Sequence, residues 1–306
     1  MPPLLQVKNL SVATKNRLIL QDLSLEIEEG ETWGLVGSSG AGKSMLARSM
    51  AGLLPRGISV KNGHIFYRGT DWLKMKESDR RRIRGRGIGF LVQNTASGLD
   101  PVYTVEQQMV ETLLANDCAD SKEGAIDISA DWLGKVGFNR VQRILSSYPH
   151  SLSGGMAQRV YLAIVFMLKP KLVIADEFST GLDSTSEKEM LGLLFQVAKG
   201  SSLLMITHNI LLLEGLTEKL AVMNGGVIVE AGPTERILEN PLHGYSQALL
   251  QAGDPCGSIG ARGLSTSESF CGCVFSKRCA HSQENCASQL PEVREVDGRK
   301  VRCHRY

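Results

Sequence analysis

The chain has no apolar run long enough to cross a bilayer. Its longest, such as Leu162–Leu168, fall well short of the roughly 20 residues a spanning helix needs, so the sequence predicts contact with a membrane only through a partner. Neither sign of charge dominates: 34 Lys and Arg stand against 32 Asp and Glu, a net of +2. That balance argues against nucleic acid as a partner. No leader-like segment opens the sequence, because Met1-Pro2-Pro3-Leu4-Leu5-Gln6 runs straight into a strand pattern, and the expectation is a cytosolic protein. No internal repeat of useful length is visible. Cysteine is nearly absent before Gly253, where Cys118 stands alone, and the other six of the seven lie between Cys256 and Cys303.

What remains is an ordinary globular composition over 306 residues, 42% hydrophobic and 22% charged, enough for one large α/β domain and a small appendage. Leu4 to Glu29 alternate apolar and polar residues around a Lys15-Asn16-Arg17 turn and predict antiparallel strands. Buried strands are expected at Thr32–Val36, Gly87–Val92, Leu172–Ala175 and Leu203–Ile206. Helices are expected at Ser44–Leu53, Thr104–Leu114, Ile128–Val136, Gly154–Leu168 and Ser184–Ala198. Such alternation implies a largely parallel sheet covered by helices. Leu220–Met223 and Val227–Glu230 read as a hairpin around Asn224-Gly225-Gly226, and Pro241–Ala252 as a closing helix. After Gly253 the composition shifts to Gly, Ser and Cys, which places a boundary between 1–252 and 253–306.

Gly37-Ser38-Ser39-Gly40-Ala41-Gly42-Lys43-Ser44 reads G-x-x-x-x-G-K-S between a strand and a helix. Glycines let backbone amides converge on phosphate oxygens, and the positive end of the following helix favours an anion. Lys43 suits the β- and γ-phosphates, and the Ser44 hydroxyl suits Mg²⁺. Downstream, the apolar strand Leu172–Ala175 ends in Asp176-Glu177. Alone, this would be a surface acidic pair. With the Gly-rich loop upstream, Asp176 becomes a Mg²⁺ ligand and Glu177 the group that polarises an attacking water. Ser153-Gly154-Gly155 opens another helix, either as an ordinary capped start or as a second phosphate cradle. One nucleotide does not need two cradles, so the second would serve a nucleotide on a partner subunit.

In this order the motifs resemble the nucleotide-binding subunit of an ABC transporter. Gly37–Ser44 matches the Walker A loop (Gly37, Ser38, Gly40, Gly42, Lys43, Ser44), Gln93 the Q-loop, and Leu152–Gln158 the signature, with Met156 at its fifth place. Asp176-Glu177 matches Walker B and the catalytic glutamate, Gly181-Leu182-Asp183 the D-loop, and His208 the switch histidine. The resemblance covers roughly Leu4 to Ala252. It implies an α/β P-loop NTPase fold of the ABC type, with an antiparallel β-subdomain and a helical subdomain at about 95–168. It also implies a head-to-tail pair of such domains, with ATP between Walker A of one and Ser153, Gly154 and Gly155 of the other. Glu177, His208 and Gln93 would be catalytic, and Ser44, Gln93 and Asp176 would surround Mg²⁺. Three positions depart from the pattern: Thr14 where an aromatic residue usually stacks on adenine, Phe178 in place of proline, and Asn94-Thr95 in place of Asp-Pro.

Within the family the chain resembles the peptide and nickel importer branch. The segment Asn240–Ala252 resembles its H-P-Y-T-x-A-L-L stretch, and Ser97–Thr104 its S-L-N-P-V-Y-T. The tail resembles its cysteine-rich extension. A reducing compartment disfavours disulfides. Cys273, Cys279, Cys286 and Cys303 are separated by five, six and sixteen residues, without the close C-x₂-C pairs common in structural zinc sites. As the resemblance implies, these four would hold a [4Fe–4S] cluster, with Zn²⁺ as the alternative. Cys256 and Cys271 have no match, although Cys271 could substitute as a ligand. The expected partners are a second ATPase subunit, identical or paralogous, two transmembrane permease subunits and, indirectly, an extracytoplasmic solute-binding protein. The expected place is the cytoplasmic face of the cell membrane. The competing readings are a soluble ABC ATPase not coupled to transport, and a weakly hydrolysing sensor subunit.

Overall fold

Alternating apolar residues build the first strands. In β1 (Leu5–Ala13) and β2 (Leu18–Ile27), Leu5, Val7, Leu10, Val12, Leu20, Leu23, Leu25 and Ile27 are all buried. The alternation slips at Asn9 and Asp22, both in the left-handed region (φ 46° and 49°), where the pairing register also shifts. These are bulges, and Asn9 Nδ2 donates to Asp22 Oδ1 across them at 2.8 Å. Next come β3 (Thr32–Val36), α1 (Lys43–Ala51), β4 (Ser59–Tyr67) and β5 (Thr70–Asp71). One antiparallel sheet has the order β2-β1-β4-β5. In the same part of the chain Leu46, Met50 and Trp72 are fully buried. Each leucine of this core is worth about 1.5–3 kcal/mol relative to exposure.

The middle of the chain is mainly helical. It contains α2 (Glu77–Ile83), β6 (Ile88–Leu91), α3 (Val105–Ala115), α4 (Lys122–Lys135), α5 (Val141–Leu145), α6 (Gly154–Phe166), β7 (Leu172–Asp176) and α7 (Ser184–Val197). Four of these helices start on side-chain caps that the sequence spells out. Thr104 and Gln107 form a capping box, and Ser121, Ser153 and Asp183 accept amides of their own first turns. β6 and β7 pair in parallel from Ile88–Leu172 to Leu91–Ala175.

The chain continues through β8 (Ser202–Thr207), β9 (Lys219–Asn224), β10 (Val227–Pro233), α8 (Thr234–Glu239), α9 (Gly244–Gln251), β11 (Val293–Val296) and β12 (Arg299–Arg302). The predicted hairpin around Asn224-Gly225-Gly226 is β9–β10, and both glycines have positive φ. β9 runs parallel to β3, with Val36 opposite Val222. β11 and β12 were not predicted. β12 pairs antiparallel with β10, Glu230 opposite Val301, so the cysteine-bearing segment joins a sheet that also contains β3.

This computed structural model describes residues 2–92, 98–179, 181–251 and 271–306. They divide into two compact units, Met1–Met75 with Leu204–Tyr306, and Lys76–Leu203. Helices α3 to α6 fall inside the expected helical stretch at 95–168. The boundary expected after Ala252 lies outside the described residues.

Candidate nucleotide site

In the first unit the Gly37–Ser44 loop leaves β3 and enters α1. Its glycines are set by close approach. A Cβ on Gly37 would stand 2.1 Å from the Met223 carbonyl oxygen, and one on Gly42 (φ 100°) 2.8 Å from Leu20 Cδ2 and Met223 Cε. Lys43 is buried, and its Nζ donates to the carbonyls of Gly37 (2.7 Å) and Ser38 (3.2 Å). Ala41 donates its amide to Ser38 O at 3.1 Å and accepts the Gly226 amide at 2.9 Å. Ser38 donates its amide to the Tyr245 hydroxyl at 2.8 Å. Such a loop is tightened around its lysine and supported from behind, and the start of α1 offers its amides to an anion. His208 follows β8 at the head of a turn. There Asn209 donates its amide to Thr207 Oγ1, and its side chain accepts the Leu211 amide.

Thr14, where the base platform was missing, is occupied with its own turn. Its hydroxyl accepts the amides of Asn16 and Arg17 and donates to Arg17 O.

In the second unit every residue of β7 is buried, Asp176 at 3% exposure. Glu177, directly after it, lies in the left-handed region at φ 46°. A side chain there carries backbone strain, a cost that recurs where a functional group must be aimed. Phe178 is buried, and its carbonyl accepts from Gln158 Nε2 of α6 at 3.4 Å, while Gln158 Oε1 is buried without a partner. This contact joins the signature helix to the residue following Glu177, and sequence reading missed it. Ser153 caps α6 by accepting the Met156 amide at 3.3 Å. Ser153 and Gly154 are exposed, and a Cβ added at Gly154 or Gly155 would meet open space. Asp183 caps α7, and its bonds from the Ser186 hydroxyl and amide hold its carboxyl below the usual carboxylate range. Gln93 lies outside the described residues.

The tail belongs to the first unit. Cys273, Cys279, Cys286 and Cys303 are free thiols there, Cys286 buried, while Cys271 is exposed. Burial raises the pKa of Cys273, and Cys286, Cys303 and Cys279 raise it further. Burial likewise raises Cys303, with Cys279 and Cys286 adding to it. Cys279 and Cys286 thus act on both Cys273 and Cys303, and Cys303 acts on Cys273. Among the described residues, no three His, Cys, Asp or Glu form a group that could hold a metal ion. The tail is packed closely: a Cβ on Gly272 would stand 2.5 Å from Cys286 O, and one on Gly244 2.9 Å from Cys279 Sγ. Cys256 lies outside the described residues.

Beside the tail sits a residue that the sequence did not single out. His243 is 2% exposed, and burial lowers its pKa to about 4, so its ring is neutral at pH 7. Its Nδ1 accepts the Tyr245 amide at 3.0 Å, and its Nε2 is 3.8 Å from Cys273 Sγ. Tyr245 is fully buried, edge-on to Phe275 with centroids 5.5 Å apart. The only signal for either residue was the resemblance of Asn240–Ala252 to a known segment.

Comparison with known proteins matches two regions. Residues 20–180 match the ABC transporter family, and residues 229–286 match the oligopeptide/dipeptide transporter C-terminal region. The dipeptide transport ATP-binding protein DppD of Haemophilus influenzae is 33% identical over 318 residues, covering 98% of this chain and 95% of that protein. The metal-staphylopine import system ATP-binding protein CntD of Staphylococcus aureus is 34% identical over 251 residues, covering 81% of this chain and 92% of its own. Among solved structures, cbiO1 of Clostridium perfringens superposes with a TM-score of 0.67 at 23% identity, covering 78% of this chain and 92% of that one. A dimeric ATP-binding cassette bound to ADP and Pi gives 0.66 at 23%, covering 75% and 98%. At that identity the likeness concerns the fold alone.

Proposed function

This chain belongs to the ABC transporter family, and on that premise we propose that it is the ATP-hydrolysing subunit of an importer for peptides or for nickel or metallophore complexes. The observation that carries the reading is the similarity to a dipeptide transport ATP-binding protein over 98% of the chain, including the C-terminal region. The similarity to a metal-staphylopine import subunit keeps metallophores in the substrate class.

In this reading Lys43 and the Gly37–Ser44 amides hold the ATP phosphates. Ser44, Asp176 and Gln93 would hold Mg²⁺, which neutralises charge on the transferring phosphoryl group. Glu177 accepts a proton from the attacking water, and His208 contacts the γ-phosphate. Catalysis is mainly positioning and charge stabilisation. Ser153, Gly154 and Gly155 serve the ATP of a second ATPase subunit, which fits the exposure of Ser153 and Gly154 and the open space above the two glycines. Among the described residues no helix is long and apolar enough to cross a membrane. By its similarity to import ATP-binding proteins, the chain would sit peripherally, on the cytoplasmic side of two permease subunits.

Cys273, Cys279, Cys286 and Cys303 match a [4Fe–4S] cluster in number and ligand type, and among the described residues they are not grouped as a metal-holding set, so a cluster would have to draw the tail together around itself. The cluster would act as a staple for a segment with little apolar area.

The decisive experiment co-expresses the chain with and without permease subunits. Retention in membranes only with the permease, together with ATP hydrolysis by the purified complex, is the expected result. Equal recovery in the soluble fraction in both cases would favour an ATPase not coupled to transport. Iron and sulfide analysis of anaerobically purified protein is expected to find both, and zinc without iron would replace the cluster by a zinc site.

A further inference from the structure

Three contacts, one buried and two half-buried, connect the cysteine tail to the phosphate-binding loop, all inside one compact unit. Cys273 Sγ lies 3.8 Å from His243 Nε2, His243 Nδ1 accepts the Tyr245 amide at 3.0 Å, and the Tyr245 hydroxyl accepts the Ser38 amide at 2.8 Å. Because Nδ1 accepts, a neutral ring carries its proton on Nε2, the nitrogen facing the sulfur. A second route runs alongside. Val274 lies against Gly225, where an added Cβ would be 2.7 Å from Val274 Cγ1, and the neighbouring Gly226 amide donates to Ala41 O at 2.9 Å.

The last contact has a mechanical meaning. The Ser38 N–H and the Gly37 C=O belong to one peptide group, which is planar. The N–H side is held by Tyr245, and the C=O side holds the Lys43 ammonium at 2.7 Å. Rotating that plane away from Tyr245 also turns the carbonyl away from Lys43. A hydroxyl contributed by α9 thus fixes the carbonyl on which Lys43 rests.

We propose that Tyr245 is a positioning residue for Lys43, and that the packing of the cysteine tail, through His243 and Tyr245, sets the affinity of the loop for nucleotide. This rests on the ATPase reading above and adds to it a coupling between two sites. Coupling of affinities is reciprocal: if the tail tunes the loop, nucleotide on the loop must tighten the tail.

The test uses the full-length protein and a fluorescent ATP analogue. Tyr245→Phe keeps the ring beside Phe275 and removes only the hydroxyl. It is expected to weaken nucleotide binding roughly fivefold to tenfold, the share of one hydrogen bond, with little change in the melting curve. Cys273→Ser is expected to weaken binding similarly, and the double variant to be no weaker than the worse single variant. Hydrogen exchange of residues 273–287, read by mass spectrometry, supplies a measurement that does not depend on the Cys273 variant folding. Addition of AMP-PNP is expected to slow it several-fold in wild type and not in Tyr245→Phe. Unchanged affinity in Tyr245→Phe, multiplicative losses in the double variant, or exchange in wild type indifferent to AMP-PNP would each overturn the coupling. A wild-type protein that binds no nucleotide would instead remove the ATPase reading on which it rests.

Discussion

Glu230 and Arg299 form an ion pair in which both side chains are buried, at 0% and 3% exposure, with Arg299 Nη1 3.4 Å from Glu230 Oε1. The carboxylate also accepts the amides of Leu242 and His243, and Arg299 Nη1 donates to the carbonyls of Asn240 and Arg236. Each charge is thus compensated on several sides. The pair joins β10 and β12 to the segment that leads into α9.

Removing one partner strands the other in the interior. Arg299→Met is expected to destabilise the first unit by about 3–5 kcal/mol, measured by urea denaturation. The double variant Arg299→Met with Glu230→Leu is expected to be more stable than Arg299→Met alone, because no buried charge is left behind. A double variant less stable than the single one would contradict this account.

Gly37→Ala and Gly40→Ala separate steric clash from backbone preference. At Gly37 the new methyl would meet the Met223 carbonyl oxygen at 2.1 Å, which is backbone and cannot rotate aside. At Gly40 nothing lies within 4 Å, and only the positive φ of 79° opposes alanine. Gly40→Ala should cost roughly 1–2 kcal/mol and keep measurable nucleotide binding. Gly37→Ala should displace the loop and abolish binding at concentrations that saturate wild type, as read by calorimetric titration.

Glu177→Gln retains shape and removes the carboxylate proposed above as proton acceptor. Phosphate release is expected to fall by about 10²- to 10⁴-fold while nucleotide affinity stays within a few-fold of wild type. Undiminished turnover would move the base elsewhere.

Asp22 titrates with the fold. Burial pushes its carboxyl up, but hydrogen bonds from Asn9 and Arg302, with the Arg302 charge, outweigh this and bring it below the usual value. A pKa lower in the folded than in the unfolded chain stabilises above the unfolded value of about 3.9. That stabilisation disappears as pH falls through the folded value. The melting temperatures of wild type and Asp22→Asn should therefore differ at pH 6 and converge below about pH 4. With Asp22 at 44% side-chain exposure, the difference should stay within about 1 kcal/mol.

The legible parts of this molecule are those in which chemistry and pattern coincide. β3 and β7 are continuous apolar runs, α3, α6 and α7 carry their caps in the sequence, and the β9–β10 turn is spelled Asn224-Gly225-Gly226. β12 was illegible because two of the residues it buries are arginines, Arg299 and Arg302, and a buried arginine looks like a surface one until its partners are known. β4 was missed because Lys61, Asn62 and His64 leave most of Ser59–Tyr67 without an apolar alternation. Tyr245 reads as an ordinary apolar-face residue, and its partner Ser38 lies 207 positions earlier in the chain.

Arg302 donates to both the carbonyl and the carboxylate of Asp22, across 280 positions of sequence. This clasp bears on the order in which the protein is made. The strands β1 and β2 are translated well before the arginine that closes on their bulge, 280 positions further along the chain. The unit that carries the phosphate loop therefore reaches its final form only after synthesis of Arg302. Until then the early strands hold the Asp22 carboxylate through Asn9, without the clasp.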